Sequence, residues 1–177
     1  MALQDTTVCN TNLLQSAKFL FNIPRLTSTQ FFAQSVNIPG VIVEDSPKQP
    51  TPFLDLAVPG DKMDFDDLTV EFLLDEELWS WTTIYDWIEG ISFPTSFQDY
   101  SNLPHLSKYS ETTPYPQYAD AEIVILTAFN QPKVKFRFID VFPVSLSGFP
   151  MDVRVSSEKT LTATATFKFK KYEIIRI

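Results

Sequence analysis

Hydrophobic and polar residues alternate with a period of two over several stretches of the chain, the pattern of strands with one face buried and one face wet. The cleanest run is Thr160 to Lys170 (TLTATATFKFK). Leu161, Ala163, Ala165, Phe167 and Phe169 fall on one side, and Thr160, Thr162, Thr164, Thr166, Lys168 and Lys170 on the other. As a single strand it would span roughly 36 Å. Asp66 to Leu74 (DDLTVEFLL) sets Leu68, Val70, Phe72 and Leu74 against Thr69 and Glu71. Lys133 to Ile139 (KVKFRFI) is expected to turn Val134, Phe136 and Phe138 inward and Lys133, Lys135 and Arg137 outward. Ala121 to Thr127 (AEIVILT) reads as a further strand. Ala17 to Ile23 (AKFLFNI), stopped by Pro24, and Thr29 to Asn37 (TQFFAQSVN) are expected to pair with each other antiparallel.

Between Asp75 and Gly90 the period changes to 3.6, with Leu78, Trp81, Tyr85 and Ile88 on one stripe and Ile84 and Trp87 widening it. Asp75 suits an N-cap, Glu76 and Glu77 suit the positive end of the dipole, and Gly90 suits the position after the last turn. A helix over about residues 76–89 follows, with Trp79 off the stripe and exposed. Prolines at 47, 50, 52 and 59 keep residues 41–59 out of any central strand, so this stretch should project. Residues 93–120 form a long insertion with four prolines, and connections of that length are usually functional. Residues 1–15 read as a polar arm. No internal repeat divides residues 1–177, which predict a single domain: mainly β, an antiparallel sandwich or barrel with one flanking helix.

Composition narrows the chemistry. A chain of 177 residues can bury roughly 70% of its unfolded surface without metal or disulfide support. Its single cysteine, Cys9, has no internal partner and suits a reducing cytoplasm. With no apolar run of about 18 residues and no signal-like N-terminus, the expected product is soluble and makes no membrane contact. A net charge of -8 argues against ordinary nucleic-acid binding, which draws its affinity from clustered Lys and Arg. Four glycines and the absence of any phosphate-loop pattern argue against nucleotide chemistry, and no cofactor is expected. The lone His105 has no nucleophile or carboxylate at a motif spacing, and one His with one Cys does not make a zinc site. Carboxylates at Asp61, Asp64, Asp66 and Asp67 lack calcium-loop spacing and read as solvated turn residues. No enzyme is expected. The threonine face of residues 160–170 fits a wetted wall, or simply the good strand propensity of Thr.

From Pro59 onward the chain resembles the tail tube protein family of T4-like bacteriophages. The residues that carry this are PGDKMDFDDLTVEFLLDEE (Pro59 to Glu77), YDWIEG (Tyr85 to Gly90), FIDVFPVSLSGFPMDV (Phe138 to Val153) and the terminal FKFKKYEI. SVNIPGV (Ser35 to Val41) looks like the family's junction before its projecting loop. The resemblance implies hexameric rings whose inner sheets join into a β-barrel, stacked into a tube that conducts the genome without binding it specifically. It further implies sheath or baseplate partners and a place in the virion tail, after assembly in the host cytoplasm. The expected role is the repeated tube subunit. The alternative is a baseplate tube initiator or a tube-terminating ring of the same fold, with type VI and extracellular injection tubes as further relatives.

On that resemblance the projecting stretch contacts the adjacent ring through Glu44, Asp45, Lys48, Phe53, Leu54 and Asp55. Thr69, Glu71, Thr160, Thr162, Thr164, Thr166 and Lys168 face the lumen, with Lys168 and Lys170 either at a rim or paired with Glu71. Phe97, Tyr100, His105, Tyr109 and Tyr115 of the insertion meet non-identical partners. A reading from another class is a monomeric β-sandwich that grips carbohydrate with the same insertion aromatics.

Overall fold

The computed structural model describes residues 13–26, 33–45, 49–50, 53, 55–56, 59–92, 96, 98, 110, 115–154 and 160–177. The spine is a strand of fifteen residues, Pro132–Leu146, which as the ninth in chain order is β9. Its first part pairs with β8 (Ala119–Leu126) on one side and β11 (Lys171–Arg176) on the other. Its last part pairs with β10 (Thr162–Lys168), which pairs in turn with β7 (Leu68–Leu73), and β7 with β2 (Ala33–Val36). β1 (Phe19–Asn22) lies outside β8, and every pairing is antiparallel. Two halves, β1-β8-β9-β11 and β9-β10-β7-β2, thus share β9. Their inward residues meet in one core: Phe21, Ile123 and Phe138 from the first, Val70, Phe72, Ala165 and Phe167 from the second. Ile84 and Trp87 of the helix α1 (Trp79–Ser92) complete it. Among the described residues the mainly β, antiparallel architecture flanked by helix α1 is the one expected.

Several elements depart from expectation. The run expected from Thr160 to Lys170 is a strand over Thr162–Lys168, because the chain breaks at Phe169 and Lys170, where the Lys170 N–H donates to Ile139 O at 3.0 Å, and a further strand, β11, follows it. Opposite the break, Asp140 takes φ 56°, a left-handed backbone that bends β9 between its two sets of partners. β1 and β2 do not pair with each other. After Ile23 a turn closes by Leu26 N–H to Ile23 O at 2.8 Å, and burial of Ile23 and Leu26 in the core commits the chain there. β1 then finds β8, and β2 finds β7 in the other half.

Helix α1 starts three residues later than expected and runs through Gly90, which is buried inside it rather than placed beyond its end. The cause is Leu78, whose φ of 54° closes a turn onto Asp75 (Leu78 N to Asp75 O, 3.0 Å) and prevents helix before Trp79. Asp75 still caps the helix, its carboxylate accepting the Trp79 N–H at 3.1 Å and the Ser80 N–H at 3.4 Å. Glu76 and Glu77 lie ahead of the first turn, not within it. The buried stripe is Ser80, Ile84, Trp87 and Gly90, so Tyr85 turns outward and stacks on half-buried Trp81 with centroids 5.4 Å apart. Trp79 is exposed, as expected.

The projecting stretch is a two-stranded arm. β3 (Val41–Asp45) pairs with β6 (Pro59–Phe65), and short strands β4 (Gln49–Pro50) and β5 (Asp55–Leu56) pair beyond them. Asp61 and Asp64, expected in turns, run within β6. At the root Phe65 packs on Phe169 and Tyr172, with centroids 5.5 and 5.3 Å away, and the Asp66 N–H donates to Gly40 O. A Cβ on Gly40 would sit 2.5 Å from an oxygen of the exposed Asp66 carboxylate, so a larger residue there would turn that side chain aside.

Candidate assembly surfaces

Alternation along β10 buries Ala163, Ala165 and Phe167 and leaves Thr162, Thr164, Thr166 and Lys168 on the opposite face. Antiparallel register carries that face across the sheet. Thr164 stands opposite Glu71 and Thr166 opposite Thr69. On the far side of β7, Ser35 stands opposite Glu71, and the Asn37 N–H donates to Thr69 O at 3.1 Å. On the far side of β10, Ser145 stands opposite Thr166, and the Thr164 N–H donates to Ser147 Oγ at 2.8 Å. Two polar rows result, Ser35-Glu71-Thr164-Ser147 and Asn37-Thr69-Thr166-Ser145, with Glu71 the one charge in them.

The structure therefore brings together Thr69, Glu71, Thr162, Thr164, Thr166 and Lys168 on one face, while Thr160 precedes the strand. Lys168 does not pair with Glu71; its Nζ lies 3.9 Å from Asp67 Oδ1. Register explains this, since Phe167 faces Leu68 and Lys168 comes next, whereas Glu71 stands opposite Thr164, roughly 13 Å along the strand. Ser35, Asn37, Ser145 and Ser147 belong to the same face and were not anticipated. Each is an unremarkable polar residue until the pairing of distant segments is known.

On the arm, Phe53 is 98% exposed, and Val41, Ile42, Val43 and Met63 are exposed along its strands. Glu44 and Asp45 lie in β3 and Asp55 in β5. Lys48 and Leu54 fall outside the described residues, as do Phe97, Tyr100, His105, Tyr109 and Cys9. Of the expected insertion contacts Tyr115 is described, and it is exposed.

The insertion is tied down at the bend. Buried Ser110 donates its hydroxyl to Asp140 Oδ1 at 2.7 Å, and the Asp140 N–H reaches Asp120 Oδ1 at 3.4 Å. Asp120 pairs with Arg137 at 3.0 Å, and Lys170 Nζ lies 4.0 Å from Asp140. These buried carboxylates are held by structural partners. Asp61, Asp64, Asp66 and Asp67 are exposed, and among the described residues no group of His, Cys, Asp and Glu could hold a metal ion. On the surface, hydrogen bonds from Lys171 and Arg154 hold the carboxyls of Glu173 and Asp152 below their ordinary range.

Comparison with known proteins adds identity to this geometry. The tail tube terminator protein of Enterobacteria phage T4 is 29% identical over 169 residues, covering 92% of this chain and 89% of the relative. Among solved structures, the tube-terminating cap of the anti-feeding prophage superposes with a TM-score of 0.65 at 13% identity over the whole of both chains. A chain of the PVC extracellular contractile injection system, from its extended sheath–tube complex, gives 0.59 at 11% identity over 94% of each. Residues 14–175 match the model of the phage tail tube proteins, and the chain belongs to that family.

Proposed function

We propose that this chain forms the ring that ends a tail tube, rather than the ring repeated along it. The observation that carries this reading is the 29% identity to a tail tube terminator across 92% of the chain. The likeness to a tube-terminating cap supports the fold such a ring needs. The role is structural.

In this reading the hydroxyl-rich face of β2, β7, β10 and the end of β9 lines the bore. Uncharged hydroxyls hold water, and with one carboxylate in two rows and Lys168 beside Asp67 they offer DNA phosphates no cluster of cations. β2 and the end of β9 are the free edges of that sheet among the described residues. Copies joined edge to edge in a hexamer close a barrel and leave neither edge open. The arm, with Phe53 near its tip, reaches the neighbouring ring, and the insertion around Tyr115 meets sheath or neck components of the virion tail.

Deleting the gene from its phage tests the role. Tubes of uncontrolled length, restored to uniform length by supplying the protein, are the expected result. Complete loss of tubes would instead favour the repeated subunit, and tails of normal length would overturn any part in ending the tube.

A further inference from the structure

Both free edges of the polar sheet are irregular: register shifts between Ala33 and Ser35 in β2, and where β9 meets Thr166 and Phe167. Two other edges are open, and the first of them is regular. β11 pairs with β9 in unbroken register from Lys171 opposite Ile139 to Arg176 opposite Val134, and among the described residues nothing pairs with its other side. The Ile177 N–H donates to Lys133 O at 3.0 Å, so by alternation the amides of Tyr172, Ile174 and Arg176 point away from β9. Ile174 is 59% exposed, and Ile175 and Ile177 are exposed as well, so isoleucine lies open on both faces of this edge. An open, regular edge with exposed isoleucines is a template for another strand.

The second open edge is β3, which pairs only with β6 among the described residues, in regular register from Val41 to Val43 before a shift between Val43 and Asp45, and exposes Val41, Ile42 and Val43. The two edges match in length at five and six residues. They also match in charge. β3 reads VIVED and ends in two acids, whereas Lys170 to Arg176 carries three bases against Glu173, which Lys171 already engages at 2.7 Å.

We infer that β3 of one copy adds to the free edge of β11 on a neighbouring copy, so that each arm latches the subunit beside it. Main-chain hydrogen bonds supply the attachment, valine and isoleucine from both strands cover each other, and opposite net charge favours the pairing. The contact is head-to-tail, as ring closure requires. It rests on the ring reading above, with the second copy as occupant of the edge.

The test uses the full chain with Ile174→Pro and Ile174→Thr. Proline removes an amide that points outward and leaves the ladder to β9 intact, whereas threonine keeps the amide while shedding apolar surface. By sedimentation, wild type and I174T should form the same ring, and I174P should dissociate at about tenfold higher concentration. In a Cys9→Ser background, Val43→Cys with Ile175→Cys should give an intermolecular ladder with a short bifunctional thiol reagent, which neither single variant gives. Rings of I174P as stable as wild type, together with no ladder, would overturn the latch and leave the ring standing. A wild type that stays monomeric would overturn both. Should I174P fail to fold, the presence or absence of the ladder decides.

Discussion

At Asp140 the backbone takes φ 56° in the middle of a fifteen-residue strand, and a carboxylate at that position is buried against the Ser110 hydroxyl. Asn and Asp tolerate the left-handed region better than other non-glycine residues, and a β-branched side chain there is strained. Asp140→Asn keeps the backbone and an acceptor for Ser110, losing only a 4.0 Å contact with largely exposed Lys170. It should cost less than about 1 kcal/mol in urea unfolding. Asp140→Val combines backbone strain with loss of the acceptor and should cost about 2–4 kcal/mol. Equal costs would mean that the bend does not depend on this residue. Nothing in the sequence marks the bend, because Phe167 and Phe169 keep their inward phase across the break in the opposite strand. The alternation that reveals which side is buried is blind to a change of partner.

Helix α1 shows which parts of an element are encoded locally. Asp75 is legible as a cap from its type and position, and its carboxylate does accept the first helical amides. Asp75→Ala should therefore destabilise the protein by about 1 kcal/mol, measured by thermal or urea unfolding. An unchanged stability would show that the turn closed by Leu78 holds the helix start without the side chain. The phase of the helix was less legible. With aromatics at 79, 81, 85 and 87, nearly any stripe can be drawn through the segment, and packing of Ile84 and Trp87 on the core chooses among them. Pairing of β1 and β2 failed as an expectation for a similar reason. Asn22 of β1 pairs with Glu122 and Ser35 of β2 with Glu71, and proximity along the chain says little about which edge a strand will meet. The arm, by contrast, was foreseeable from its prolines, although the strand Pro59–Phe65 was not.

Over the whole molecule, the threonine face was legible because one strand carries most of it, and its register with Thr69 and Glu71 followed once β7 and β10 paired. The serine and asparagine members of the rows come from β2 and β9, and only the assembled sheet shows them to be neighbours. Composition argued against clustered phosphate contacts and a nucleotide loop, but it had no bearing on where along a tail such a ring would sit. That distinction came from relatives and stands as a claim about position. It is tested most directly by reconstructing the intact tail at a resolution that identifies this chain. The account predicts a single ring at one end of the tube, with Thr164 and Thr166 facing the bore. Copies repeated along the whole tube, or a ring whose threonine face looks outward, would contradict it.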